Sequence, residues 1–203
     1  MSDYGTLIDQ HTLRFERLLP GPIERVWDYL VKPELRARWF ADGEMEQKAG
    51  GAVTLIWRND ELGAQPGSPP EHMKNFGGTH QSQNKLLTWE PPHRLAFDWS
   101  DGIDNGRSRV EFLLKEESGK VRLTLTHSRL NKSDSRAKFA SGWHIHLLML
   151  SEQIEGDVKS IFWESFDGVR EGYAVSTRAT AAPNLQAAGI SICSCCRNRS
   201  KAM

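Results

Sequence analysis

The sequence predicts an α+β fold in which a curved antiparallel sheet wraps a long C-terminal helix. Three observations carry this expectation. Between His11 and His127 the apolar residues recur at every second position, as they do in half-buried strands. From Ser133 to Gly156 they recur instead at three- and four-residue steps, placing Phe139, Trp143, His146, Leu147, Leu150 and Ile154 on one helical stripe. The strand-like runs and the helical runs are segregated along the chain, which puts the helices together on one face of the sheet.

The first expected strand runs from His11 to Leu19, with Leu13 and Phe15 on one face and Thr12, Arg14 and Glu16 on the other. Pro20-Gly21-Pro22 breaks it. Ile23, Val26, Trp27, Leu30 and Val31 then fall at i, i+3, i+4, i+7 and i+8, and Pro22 suits a first helical turn, so a short amphipathic helix follows. Pro33 ends that helix and starts another, whose small apolar face is Leu35 and Trp39 running into Phe40. Together they bracket one end of the sheet.

After the Gly50-Gly51 turn, Val53, Leu55 and Trp57 alternate with Thr54, Ile56 and Arg58. Asn59 to Gly78 interrupts the pattern with Gly, Pro and polar residues of no regular period, which reads either as a floppy hairpin insertion or as a lid over a pocket. Strands resume over Lys85 to Trp89, then Leu95 to Trp99 after a Pro91-Pro92 turn, then Val110 to Leu114 after a polar turn through Gly106, then Val121 to His127. The element order is then strand, two short helices, a run of about six antiparallel strands and the long helix.

Ser133 or Asp134 can cap the start of the long helix, and Gly156 suits the left-handed residue that closes it. Ile145 to Leu150 is apolar apart from His146, so the outer side of this stretch also needs a cover. The segment after Gly156 can supply it, with Asp157 as cap and Val158, Ile161, Phe162, Phe166 and Val169 at helical spacing; a second copy of the chain in a homodimer is the other candidate. The expected organisation is one domain over 1–173, with core 11–156 and covering helix 157–171, and a flexible tail over 174–203.

Lys plus Arg equals Asp plus Glu at 26 each, so no net field draws the chain to nucleic acid or to an anionic membrane. No apolar run reaches the roughly 18 to 20 residues needed to span a bilayer, and MSDYGTLIDQ lacks the pattern of a secretion signal. The expected location is the cytoplasm. Cys193, Cys195 and Cys196 all lie in the tail, which leaves no internal disulfide framework and fits a reducing compartment.

The residues Arg17-Leu18-Leu19, Val26-Trp27-Asp28-Tyr29-Leu30, Pro33 to Phe40, Gly50-Gly51, Glu90-Pro91-Pro92, Leu95 to Trp99 and Gly142-Trp143 resemble the START-like, or SRPBCC, superfamily. Within it they most resemble the branch named after the C-terminal domain of the activator of the 90-kDa heat-shock protein ATPase. The resemblance covers roughly His11 to Gly156. It implies the helix-grip fold, and with it a hollow between sheet and helix. It also leaves function open, because binding proteins, cyclases, hydrolases and co-chaperones share that scaffold. Chaperone activation in the branch's namesake uses an additional N-terminal domain, whereas ten residues precede the first expected strand here.

Trp57, Trp99, Phe112, Leu125 and His127 share the expected inner face of the sheet. Trp143, His146, Leu147 and Leu150 come from the helix above, and Trp39 from the bracket. In a solid core these residues are packing alone; with the hollow that the resemblance implies, they become the walls of a pocket for a small apolar ligand. His127 and His146 are the titratable groups that could move a proton there, although a histidine on an apolar face is more often a hydrogen-bonded core residue. Glu16 and Glu111 point outward by strand parity, and no Ser-His-Asp order or Gly-rich phosphate loop is present, so no catalytic residue and no cofactor are assigned. His144 and His146 are two apart on a helix and face different directions, and the three cysteines lack a fourth ligand, so no metal site is expected. The reading is a soluble binding protein for a small apolar molecule, needing no chemistry. A polyketide-cyclase-like or hydrolase-like enzyme and a co-chaperone-like interaction module are the alternatives.

Overall fold

Alternation along the strands decides which side chains are shared between sheet and helix. The computed structural model describes residues 4–100, 107–130, 133–166, 168–170 and 173, with the backbone alone at 133–135 and 137. The expected tail 174–203, the turn through Gly106 and the cap expected of Ser133 or Asp134 lie outside what is described.

The strands are β1 (Thr6–Asp9), β2 (Thr12–Pro20), β3 (Ala52–Trp57), β4 (His80–Glu90), β5 (Arg94–Trp99), β6 (Ser108–Glu117) and β7 (Lys120–Ser128). They form one curved antiparallel sheet in the order β1-β2-β7-β6-β5-β4-β3, left open between β1 and β3. Its register aligns the inward residues in rows: Phe97 opposes Val110, which opposes His127, which opposes Leu13. In the next row Leu95, Phe112, Leu125 and Phe15 align in the same way, and all four are at most 2% exposed. The short strand β1 escaped sequence analysis because all four of its residues are exposed, so it carries no two-residue alternation.

The bracket is α1 (Ile23–Val31) and the single turn α2 (Pro33–Arg36). Its keystone is Arg36, 1% exposed, whose guanidinium donates to the carbonyls of Val31 and Ala41 at 3.1 and 3.0 Å and to that of Gly43. Burial pushes its pKa below the ordinary value, against the pull of Asp42 and Glu44. By satisfying three carbonyls, this side chain fixes the turn that delivers Trp39 and Phe40 to the interior.

The long helix α3 spans Ser133–Glu155 and closes at Gly156, whose φ of +79° is the left-handed conformation expected of it. Both Gly156 N–H and Asp157 N–H return to the Glu152 carbonyl. Glu152, 4% exposed, has its carboxylate occupied by the N–H groups of Lys159 and Ser160 and by the Ser160 hydroxyl at 2.6 Å. That buried anchor explains a departure from the expected covering helix. Asp157 does not cap it: residues 157–160 are irregular, Ile161 forms a bridge with Gly63, and helical backbone begins at 162. Phe162 then lies on His146 with ring centroids 4.9 Å apart. On another side of α3, His144 meets Tyr4 at 4.8 Å and Tyr173, whose hydroxyl accepts the Gly5 N–H at 2.7 Å. Thus both ends of the described chain pack over α3.

Candidate functional site

An apolar hollow of about 300 Å³ is present, and neither Leu147 nor Leu150 borders it. It sits at one end of the sheet, where four parts of the chain meet. Trp57 and Trp99 come from the ends of β3 and β5, while Phe139, Gly142, Trp143 and His146 come from α3. The interrupting segment contributes Asn59, Met73 and Phe76, and the segment after α3 contributes Phe162, Trp163 and Phe166. Phe40, carried in by the bracket, stacks on Trp143 at 5.1 Å and 26°. At the rim, Lys138 is exposed and lies over the Phe76 ring at 5.3 Å.

Of the ten residues expected to line a pocket, Trp57, Trp99, Trp143 and His146 do so. Trp39, Phe112, Leu125, His127, Leu147 and Leu150 do not. They are at most 2% exposed and fill the space between the sheet and α3, so the hollow expected there is a packed core. Leu147 in particular is fully buried rather than bordering a void. Trp39 donates its indole N–H to the Tyr29 carbonyl at 2.9 Å and presents its edge to the ring of Phe112.

The two candidate histidines are in different situations. His127 is fully buried; its Nδ1 accepts the Trp143 indole N–H at 3.0 Å, which can only donate, so its proton sits on Nε2 facing the Ser108 hydroxyl at 2.8 Å. Both nitrogens are engaged, and desolvation pushes the pKa down to about 3. His146 has Nδ1 at 2.8 Å from the Trp39 carbonyl, which can only accept, so Nδ1 carries the proton. Its Nε2 is left as an acceptor in a ring that borders the cavity. Desolvation holds the pKa near 4, opposed by the bond to Trp39. Asn59 supplies a second polar group: its Oδ1 is buried and has no hydrogen-bond partner, the one such side-chain atom among the described residues.

The segment from Asn59 to Gly78 is held in place rather than left loose. Short 3₁₀ turns occupy Asn59–Glu61 and Glu71–Phe76, and Met73 is 6% exposed. Ala64 N–H reaches the Ser160 carbonyl at 2.9 Å, and Phe162 N–H that of Leu62 at 3.3 Å. Asp60 takes the Trp163 indole N–H on one carboxylate oxygen and the Gly78 N–H on the other, both at 2.7 Å. The contacts suit a lid, and sequence analysis could not separate that from an insertion because none of them is local. Met73, Phe76 and Trp163 went unassigned for the same reason; Phe40, Phe139 and Gly142 fall on the bracket, the helical stripe and the resemblance without being assigned to a pocket, and Phe162 and Phe166 read as parts of the expected cover. Glu16 and Glu111 do point away from the core, into ion pairs with Arg14 and Arg122 and with Arg94 and Arg109. No group of three potential metal ligands occurs among the described residues.

Over residues 20–155 the chain matches the sequence profile of the family described as activator of Hsp90 ATPase homolog 1-like protein. The chain belongs to that family. Among solved structures, this member of the activator-homologue family is similar to a Bordetella parapertussis protein determined by solution NMR, at 36% identity and a TM-score of 0.72 over 84% of this chain and 88% of that one. CalU16 of Micromonospora echinospora shares the fold at 22% identity and a TM-score of 0.59, over 81% of this chain and 86% of that one. A Rhodobacter sphaeroides protein shares it at 22% identity and 0.56, over 75% and 97%. No curated protein sequence matches the chain. Open sheet, bracket and long helix give this member of the family the START-like helix-grip fold. No helix among the described residues is long and apolar enough to cross a membrane.

Proposed function

We infer that this protein binds a small apolar molecule in the cavity between the sheet end, α3 and the segment 59–78, without acting on it chemically. The observation that carries the reading is the cavity itself. At about 300 Å³ it reaches the lower end of the range for ligand sites, and its walls are mainly aromatic, with Asn75, His80, Gln81 and Lys138 at exposed positions of the lining. Binding is favoured over cyclase-like or hydrolase-like chemistry because neither histidine is suited to proton transfer. His127 has no free nitrogen, and burial makes His146 a weak base. It is favoured over a co-chaperone-like role because the supporting feature is a recess for a small molecule, not a broad surface.

Gly142 provides the test. It lines the cavity, and a Cβ built on it meets nothing within 4 Å. Nile red is titrated into the wild-type protein and into Gly142→Leu, whose side chain would occupy the cavity, while native mass spectrometry looks for a co-purified molecule. The expected result is saturable binding to the wild type, weakened by about tenfold or more in the variant. Equal binding to both proteins would place the dye elsewhere and remove the support for this reading.

A further inference from the structure

The polar groups left over in the cavity say what its ligand must carry, an inference that rests on the cavity being the binding site. The indole N–H groups of Trp143 and Trp163 are already spent on His127 and Asp60. Asn75, His80, Gln81 and Lys138 line the cavity at exposed positions, and two acceptors come from less exposed residues. His146 is 6% exposed; its Nδ1 proton is committed to the Trp39 carbonyl, and Nε2 has no protein partner among the described residues. Asn59 Oδ1 is buried and also lacks a donor. A buried acceptor without a donor is costly, and Asn59 Oδ1 is the one such side-chain atom among the described residues, so it has reason to persist only where something else supplies the hydrogen; His146, with Nε2 unengaged, lines the same cavity.

The walls restrict the rest of the ligand. Trp57 and Trp99 lie 5.3 Å apart at 51°, and Phe40 stacks on Trp143, so most of the wall is built of aromatic rings. No carboxylate lines the cavity to hold a cation, and its one lysine, Lys138, is exposed at the rim over the Phe76 ring rather than aimed at a buried anion. The geometry points to a neutral aromatic ligand that ends in a hydrogen-bond donor, a phenol-type hydroxyl or ring N–H, received by His146 Nε2 with Asn59 Oδ1 as the second acceptor. A donor-bearing ligand gains there what an apolar one of equal size cannot. An ether analogue leaves both acceptors unpaired, and that penalty is the source of selectivity.

β-Naphthol and its methyl ether separate the donor from the ring system. Both are titrated calorimetrically into the full-length wild type, Asn59→Leu and Gly142→Leu. Asn59→Leu removes one acceptor whose side chain holds no other part of the fold. NMR of protein carrying nitrogen-labelled histidine then follows the His146 Nε2 resonance. The expected result is a preference of about tenfold or more for the naphthol in the wild type. That preference narrows in Asn59→Leu, or the Nε2 signal moves with naphthol and stays still with the ether. Equal affinity for the two probes overturns the donor assignment and leaves the cavity reading standing. So does a preference that survives in Asn59→Leu with the Nε2 signal unmoved. If neither probe binds, or Gly142→Leu weakens neither, both the assignment and the binding reading fall.

Discussion

Trp143 donates its indole N–H to Nδ1 of His127 at 3.0 Å, and this one bond fixes the tautomer of a histidine that is fully buried at the centre of the fold. Helix and sheet are thereby joined by a directional contact in the middle of an aromatic core. His127→Phe keeps a ring of similar size but orphans both the Trp143 N–H and the Ser108 hydroxyl. Each unmatched group costs about 1 to 3 kcal/mol, so urea denaturation at neutral pH should show a loss in that range or above. An unchanged midpoint would mean that the network contributes nothing to stability.

Both buried histidines also tie stability to pH. Desolvation lowers His127 to about 3 and His146 to about 4, from an ordinary value of 6.5 that applies once the chain unfolds. Between those values the unfolded chain binds more protons than the folded one, so stability is full above about pH 6.5 and is lost as pH falls. Each histidine should remove about 2 kcal/mol between about pH 8 and about pH 5. In His127→Phe the slope should drop by one proton. A flat profile over this range would contradict the burial of these rings.

Gly63 should be intolerant of any side chain. Its φ is +111°, and an added Cβ would lie 2.2 Å from the Ser160 carbonyl oxygen, in the middle of the bridge that docks the cavity's cover. Gly63→Ala should cost about 1 to 3 kcal/mol and release the segment 59–78, read as faster proteolytic cleavage within it. Wild-type cleavage rates would show that the bridge is not what holds the segment.

Two substitutions on α3 locate the empty space. Leu147 is fully buried away from the cavity, so Leu147→Trp should overpack the core and cost about 1 to 3 kcal/mol. At Gly142 a methyl group meets open space, so Gly142→Ala should stabilise the helix by about 0.5 to 1 kcal/mol, read as a raised melting temperature. If Leu147→Trp is tolerated and Gly142→Ala is not, the hollow lies where sequence analysis first expected it.

Much of the architecture was legible without coordinates. Alternation placed Leu13, Phe15, Phe97, Phe112 and Leu125 on one face because strand geometry sends successive side chains to opposite sides, whatever lies beyond. Helical spacing and Gly156 bounded α3 for a similarly local reason. The same logic explains the misses. Periodicity singles out neither Arg36 nor Glu152, because it cannot show that carbonyls five to seven residues away, or a turn folded back by seven or eight residues, will receive them.

The sequence by itself determined which residues face inward, since that follows from two short repeat distances along the backbone. Only the tertiary structure decided which inward residues face a neighbour and which face a void. Phe112 and Leu147 look like Trp57 and Trp143 in any periodic pattern, yet the first two are packed against each other's surroundings and the second two border the cavity. The difference arises where parts far apart in the chain meet. Asp60 and Trp163, 103 residues apart, close the cover with a bond that no local spacing encodes. The histidine protons were decided in the same way, because a tautomer is set by whichever partner the fold brings within hydrogen-bonding reach.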